Sequence, residues 1–326
     1  MKKDKLFFDS STQSAVNILK PFQRKLRLIG LTGLSGGMES ELSLIGTYFL
    51  ELLKAFFLVE VLALFWIAKE LESKQASIIK LFDYVGRLDT SISIASLRAD
   101  NFKTCQPSFG TATKEMSIKN MYHPLIENCV KNDLIINGKS VMITGSNMSG
   151  KSTFLRSLAI NSILAQTIFT CFADEFHSPI LKQFSSIRID DSLLNSKSYY
   201  LQEVSVMGSL ITQSESADQN LFVLDEVFKG TNTVERIATA KAVLTYLNKG
   251  NNIVIIATHD IELSEMLIAD YDLYHFSELI EYNQLYFDYK LKAGQLKTRN
   301  AIKILELANY PKEIIEEAKS ISEGLT

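Results

Sequence analysis

The residues best suited to chemistry in this 326-residue chain form one glycine-rich stretch, GSNMSGKS, at residues 145–152. The stretch fits the pattern GxxxxGK followed by serine or threonine, in which glycines let the backbone curl and point its N–H groups at phosphate oxygens. An apolar run at residues 141–144 precedes it and a helical pattern follows. We expect Lys151 to reach the β- and γ-phosphates of ATP and the Ser152 hydroxyl to ligate Mg²⁺. A chance glycine turn is the alternative, which the combination of strand, loop and helix disfavours.

Two adjacent carboxylates, Asp225 and Glu226, follow the apolar run LFVL at residues 221–224. An aspartate at the end of such a strand can hold Mg²⁺ through its water shell, and a glutamate after it can orient and deprotonate the attacking water. A strand that simply enters an acidic loop is the plain alternative. The position of the pair downstream of a complete phosphate loop favours the chemical roles.

A histidine, His259, ends the next apolar run, IVIIAT at residues 253–258. In a parallel sheet the carboxyl end of this strand would lie beside those of the other two, where α/β sheets bind ligands. We therefore predict that His259 senses the γ-phosphate and positions the water. A structural role, which is the commoner role for a lone histidine, is the alternative.

The elements that must position these residues follow from about residue 117 onward, where short apolar runs alternate with helical patterns. This alternation predicts parallel βαβ units with both faces of the sheet covered. Two further apolar runs, at residues 272–276 and 285–289, predict an antiparallel extension of the sheet. Predicted helices lie at residues 151–170, 234–249, 261–269 and 311–324.

The earlier part of the chain has a different pattern, with long apolar-periodic segments at residues 16–28, 42–71 and 74–97. Four glycines within residues 30–37 separate the first two segments. We therefore predict a smaller all-α domain over residues 1–115, followed by an α/β P-loop NTPase domain with a mainly parallel sheet over residues 116–326.

Composition limits the class of protein. Hydrophobic residues make up 46% of the chain and charged residues 22%, with a net charge of −3, as in an ordinary globular protein. The cysteines, Cys105, Cys129 and Cys171, are scattered and form no CxxC pair, which argues against a disulfide framework and predicts a reducing, cytoplasmic compartment.

Two segments of the first domain leave alternatives open. The apolar segment at residues 48–68 contains Glu51, Lys54 and Glu60, which favours a buried helix over a membrane span. Basic residues outnumber acidic ones over residues 1–27, which fits a solvated helix face or a phosphate-contacting patch.

Three segments resemble the ATPase domain of the MutS family of DNA mismatch-repair proteins. They are TGSNMSGKSTFLR at residues 144–156, LDEVFKGTNT at 224–233 and ATHDIEL at 257–263, and the first contains the family's Asn-Met pair, Asn147 and Met148. Further matches lie at residues 122–125, 132–133, 190–191, 198, 203, 287–294 and 309–311. The resemblance covers about residues 117–322 and implies an ABC-like P-loop fold.

The resemblance also implies site residues and a dimer. Tyr289 would place a ring against adenine, with core packing as its plain alternative, and Ser198 would reach the ATP of a partner subunit in a homodimer. Ser149 stands where the best-known members have glycine. Contacts to phosphate and Mg²⁺ would come from Gly145, Ser146, Asn147, Met148, Ser149, Gly150, Lys151, Ser152 and Thr153.

The function implied by the resemblance is an ATP-driven conformational switch that acts on DNA. The 326 residues leave no room for the family's mismatch-reading and connector domains, so we expect no mismatch reading by this chain itself. An ATP-gated module that binds a protein or a membrane-linked assembly, with little DNA affinity, is the alternative. An SMC-type ATPase is disfavoured because the chain lacks long coiled-coil heptads.

Overall fold

The structure, a computed structural model, describes residues 10–28, 52, 56–100, 102–187, 199–281, 284–296, 301–307 and 310–324. The chain divides into two compact units, Met1–Leu97 and Arg98–Thr326. The first unit contains α1 (Ser10–Leu28) and most of α2 (Val59–Ala99). The assignment of residues 1–115 to a separate all-α domain stays a prediction.

Helix α2 is continuous where two helices, with a break near residues 72–73, were predicted. This prediction was wrong because neither residue is a helix breaker, and the turn that contains them is supported by its own side chains. Lys74 Nζ lies 2.6 Å from Glu70 Oε1, and the Ser73 hydroxyl donates to the Glu70 carbonyl at 2.8 Å. Of the helices the structure describes, none combines the length and the apolar character needed to cross a membrane.

The second unit is built from twelve described strands and six described helices. Its strands are β1 (Ser108–Phe109), β2 (Glu115–Met121), β3 (Asn132–Asn137), β4 (Ser140–Thr144), β5 (Glu175–Ser178), β6 (Lys182–Ser186), β7 (Asn220–Asp225), β8 (Ile253–Thr258), β9 (Tyr271–His275), β10 (Glu278–Glu281), β11 (Gln284–Phe287) and β12 (Lys292–Ala293). Its helices are α3 (Lys151–Ile168), α4 (Tyr199–Ser214), α5 (Thr233–Leu247), α6 (Ile261–Leu267), α7 (Ala301–Leu307) and α8 (Lys312–Gly324).

The main sheet has six strands in the order β12-β9-β4-β8-β7-β6. The five strands from β9 to β6 are parallel, and β12 is antiparallel to β9. The α/β class with a mainly parallel sheet is therefore confirmed. The predicted antiparallel extension at residues 272–276 was wrong: helix α6 carries the chain back, so that β9 runs parallel to β4. Strand β11 pairs instead with β10 in a hairpin, and β1-β5-β2-β3 form a second sheet.

The central strands are buried on both faces. Along β4, Val141 and Ile143 pack on the side of α3 with Phe154, whereas Met142 packs on the opposite side with Leu244 of α5. Each such side chain contributes roughly 1.5–3 kcal/mol by its burial. The strands therefore have little freedom to shift, and their carboxyl ends present a fixed edge from which the functional loops emerge.

Candidate functional site

The carboxyl ends of β4, β8 and β7 lie side by side. Thr144 is paired with Thr258, and Asp225 is paired with Ala257. The glycine-rich loop after β4, the carboxylates after β7 and His259 after β8 therefore emerge at one edge of the sheet. Burial lowers the pKa of Lys151, and the negative charges of Glu226 and Asp225 partly oppose this shift, so the three groups act on one another.

The glycine-rich loop passes close to other backbone and ring atoms. A Cβ at Gly145 would lie 2.8 Å from the Phe276 carbonyl oxygen, and one at Gly150 would lie 3.2 Å from Tyr289 Cδ1. Gly150 also has φ +109, a conformation that side chains other than glycine rarely adopt. The two glycines are thus required both by the curvature of the loop and by its close packing.

Lys151, in the first turn of α3, points back into the loop. Its Nζ donates to the Gly145 carbonyl at 2.7 Å and to the Ser146 carbonyl at 2.8 Å. Burial of the ammonium lowers the pKa of Lys151, and the carboxylates of Glu226 and Asp225 oppose this shift. A buried cation enclosed by a curled loop at a helix N-terminus is a site suited to an anion.

The other residues of the loop differ in exposure. Asn147 and Met148 are exposed, whereas Ser152 and Thr153 are half-buried in the first turn of α3. Ser149 is buried, and its hydroxyl has no hydrogen-bond partner within the described part of the chain.

One loop residue has a distant acidic partner. The Ser146 hydroxyl donates at 2.8 Å to the carboxylate of Glu278, which lies at the start of β10. Sequence reasoning missed Glu278, because no local pattern connects two residues 132 positions apart.

Glu226 lies between two cationic partners. Its Oε2 is 2.5 Å from Lys229 Nζ, and its Oε1 is 3.4 Å from His259 Nδ1. The hydrogen bond with His259, followed by the hydrogen bond and charge of Lys229, lowers the pKa of Glu226 to about 2, although burial acts in the opposite direction. The same contact with Glu226 raises the pKa of His259.

A second carboxylate, that of Asp260, lies near the other ring nitrogen of His259. Asp260 Oδ1 lies 3.8 Å from His259 Nε2. Arg236, near the start of α5, holds Asp260 with two hydrogen bonds, Nε to Oδ2 at 3.0 Å and Nη2 to Oδ1 at 2.7 Å. The imidazole therefore has a carboxylate beside each ring nitrogen. Asp260 directly follows His259 in the sequence, a signal that could have been used, whereas the Arg236 contact depends on the fold.

A buried carboxylate on α4 holds the backbone that carries Lys229. Glu203 accepts hydrogen bonds from the backbone N–H groups of Lys229 and Gly230, each at 3.2 Å. Because Glu203 is only 3% exposed, it fixes this turn from within the fold. Ser198, predicted to act on a partner's ATP, lies outside the described residues.

A cavity of about 320 Å³ adjoins Gly150 and Thr153. Tyr289 lines this cavity. Its side chain is 45% exposed, so the ring is not part of the buried hydrophobic core. Asn132 holds the segment that carries Tyr289, since its side chain donates to the Tyr289 carbonyl at 3.0 Å and accepts from the Leu291 N–H at 2.8 Å. The remaining apolar lining comes from Met121, Ile126, Val130, Phe154 and Phe276. A mostly apolar cavity of this volume beside the glycine-rich loop fits a planar base.

Comparison with known proteins agrees with this geometry. The family model of MutS domain V matches residues 141–326, which is more than half of the chain. The chain belongs to the MutS family. Proteins named DNA mismatch repair protein MutS align with most of it: 32% identity over 265 residues in Pseudothermotoga lettingae, 33% over 260 in Petrotoga mobilis and 29% over 245 in Thermus aquaticus.

Those alignments cover 78%, 76% and 74% of this chain but only 32%, 31% and 30% of the MutS relatives. The chain thus spans about a third of the length of these MutS proteins. The family-model match and the sequence identities establish membership of the MutS family. The activity of a whole MutS protein is a proposal for this chain.

The residues present in this MutS chain fit a magnesium–nucleotide complex. The loop approaches its neighbours at Gly145 and Gly150 so closely that a side chain at either position would meet them. Ser152 and Asp225, at the same edge, offer the hard oxygen donors that Mg²⁺ prefers.

Proposed function

We propose that this chain binds ATP with Mg²⁺ and hydrolyses it, and that the cycle drives a conformational switch in a MutS-type dimer that acts on DNA. The observation that carries the proposal is the meeting of Lys151, Glu226 and His259 at one sheet edge beside the glycine-rich loop. Membership of a family with a MutS ATPase domain supports it.

For binding, Lys151 would exchange the two loop carbonyls for phosphate oxygens, and the backbone N–H groups of the loop would donate to the same anion. Ser152 and Asp225 would hold Mg²⁺, which when bound neutralises charge on the phosphate oxygens. The base would enter the cavity beside Tyr289.

For hydrolysis, Glu226 would accept a proton from the attacking water while His259 positions that water. A carboxylate with a pKa of about 2 is a weak base at neutral pH. Lys229 and His259 both stabilise its charged form, so loosening the contact with Lys229 would raise its basicity.

Steady-state release of phosphate by the purified chain, together with binding of a fluorescent ATP analogue, tests the ATPase proposal. We expect Mg²⁺-dependent turnover and loss of binding in Lys151→Ala. Absence of nucleotide binding in the wild-type chain, while Lys151→Ala and the wild type unfold at the same temperature, would overturn the proposal.

The DNA part rests on relatives whose name is DNA mismatch repair protein MutS. Binding to paired, mismatched and branched duplexes, measured with and without ATP at low and moderate salt, tests it. We expect binding that weakens steeply with salt, as for any phosphate-contacting protein, and no preference for the mismatch. If no duplex binds at low salt, the DNA role fails and the ATPase proposal still stands.

The dimer is tested with Glu226→Gln, which is expected to retain ATP. Light scattering should show two chains per particle with ATP and fewer without it. Ser198→Ala should weaken this ATP-dependent association. An unchanged monomer under all conditions would contradict the composite site.

A further inference from the structure

Two of the three cysteines face each other outside the nucleotide site. Cys105 and Cys171 form an antiparallel bridge in which each backbone N–H donates to the carbonyl of the other at 2.9 Å. Directly opposed residues that exchange both hydrogen bonds have Cα atoms about 5.5 Å apart. Disulfides span Cα separations of roughly 4.4–6.8 Å. The backbone therefore already holds the two residues at a distance that a disulfide can bridge.

The two thiols differ in exposure and acidity. Both are free; Cys171 is buried and Cys105 is partly exposed. The hydrogen bond from the Cys171 thiol lowers the pKa of Cys105, against the opposing effects of burial, Asp174 and Glu175. The same contact and burial raise the pKa of Cys171. Since the thiolate is the nucleophile, we expect the Cys105 thiol to attack an oxidant first. The Cys171 thiol would then attack the oxidised Cys105.

We propose that Cys105 and Cys171 form a reversible dithiol–disulfide site whose oxidant is hydrogen peroxide. The Cys105 thiolate attacks one peroxide oxygen, the O–O bond breaks, and the products are a sulfenic acid and hydroxide. The Cys171 sulfur then displaces the sulfenic oxygen, which leaves as water with the thiol proton. Two thiols and one peroxide thus give one disulfide and two waters, and a dithiol reductant reverses the step.

The position of the bridge indicates what the disulfide would constrain. Cys171 follows the end of α3, the helix that begins at the phosphate loop. The carbonyls of Ile168 and Phe169 at that end each accept a hydrogen bond from the Arg98 guanidinium at 3.0 Å. A covalent bond from Cys171 to Cys105 would hold the segment after α3 against residues 102–110.

Neighbouring contacts join the same two segments of the chain. Lys103 forms an exposed ion pair with Asp174 at 2.9 Å, and the Gly110 N–H donates to the Ser178 carbonyl at 3.1 Å. The bridge between the cysteines is thus one of several contacts that join Arg98 and residues 102–110 to residues 168–178. Exposed polar contacts of this kind open readily, and a disulfide among them would suppress that opening.

Mass spectrometry of the full chain tests the proposal. The reduced protein is treated with hydrogen peroxide, quenched, alkylated under denaturing conditions and digested without reductant. We expect one linked pair of peptides that contains Cys105 and Cys171, alkylated Cys129, and reversal by dithiothreitol. Cys129→Ser is the matched control, since it removes a thiol that lines the nucleotide cavity and should leave the link intact.

The contrary results are equally specific. Alkylation of all three cysteines after peroxide, a link that includes Cys129, or conversion of Cys105 to sulfinic acid beside a free Cys171 would each overturn the proposal. Hydrogen exchange supplies a second measurement: amides of residues 102–110 and 171–178 should exchange about tenfold more slowly after oxidation. Cys105→Ser should abolish that change, and unchanged exchange in the linked protein would refute the constraint. None of these measurements requires nucleotide binding, so they stand apart from the ATPase proposal.

Discussion

The two ends of the candidate nucleotide site are built differently. At one end, which we call the phosphate end, the backbone determines the conformation of the loop. Gly145 and Gly150 pass close to neighbouring atoms, and the Lys151 ammonium donates to two loop carbonyls. At the hydrolytic end, side-chain charges do the positioning, and Glu226 is neutralised by Lys229 and His259. The first end is ready for an anion, whereas the second is held in ion pairs. The two ends of the candidate site can therefore be tested by separate substitutions.

Glu226→Gln should have the largest effect, because it removes the proposed base while leaving the phosphate end intact. We expect kcat to fall by about 10²–10⁴-fold, with ATP affinity retained. Phosphate release and nucleotide binding, measured on the same preparation, check both parts. Glu115→Gln, at an exposed position on β2, is the control. Normal turnover in Glu226→Gln would show that Glu226 is not the base, and the proposed difference between the two ends would fail.

Lys151→Ala should act at the other end, on binding. Loss of charge-assisted hydrogen bonds to phosphate is expected to weaken ATP affinity about 100-fold, since each such bond contributes roughly 1.5–3 kcal/mol. Calorimetric titration with a slowly hydrolysed ATP analogue measures the change. Lys241→Ala, exposed on α5, is the control. Unchanged affinity would mean that the loop does not hold the phosphates.

Tyr289→Ala tests whether the cavity next to the phosphate end binds the base of ATP. We expect about a 10-fold loss of ATP affinity, because stacking on a base contributes roughly 1–3 kcal/mol, with little change in the affinity for inorganic triphosphate. Tyr286→Ala, a similarly exposed ring on β11, should leave ATP affinity unchanged. Equal losses for ATP and triphosphate would argue against a base in this cavity.

Lys229→Met tests the ion pair at the hydrolytic end and should have the smallest effect. Because Glu226 has a pKa of about 2, below its ordinary 4.5, its ionised form contributes stability above pH 4.5. That contribution is lost as the pH falls from 4.5 toward 2. Removing the half-exposed Lys229 should lower the free energy of unfolding at neutral pH by about 1 kcal/mol.

Urea unfolding of wild type and Lys229→Met across this pH range measures the effect. The two proteins should converge in stability as the pH falls below 2, where the carboxylate becomes protonated in both. Lys182→Met, which breaks an exposed pair with Asp218, is the matched control and should change stability little. A difference that persists at the lowest pH would show that Lys229 acts through packing.

Sequence reasoning located the features that are built from contiguous residues. The loop at residues 145–152 could be recognised because its glycines, lysine and serine all act within one turn of chain. The α/β class and the family resemblance are confirmed, since apolar strands alternating with helices leave few other topologies. The roles of all the predicted site residues, those of Lys151 and Glu226 included, stay predictions.

Sequence reasoning failed where partners come from distant segments. Nothing near Ser146 points to Glu278, and nothing near Lys229 points to the buried Glu203. Nothing in the scattered cysteines, which form no CxxC pair, points to the antiparallel bridge between Cys105 and Cys171. The direction of β9 was likewise decided by how α6 returns the chain.

The amino-acid sequence alone determined that a glycine-rich loop lies between a buried strand and a helix, because glycine conformation and hydrophobic periodicity are local properties of the chain. Only the tertiary structure decided which charges meet Glu226 and which thiols meet each other. Electrostatic strength depends on separation in space and on burial, and the order of residues along the chain specifies neither until the strands have paired.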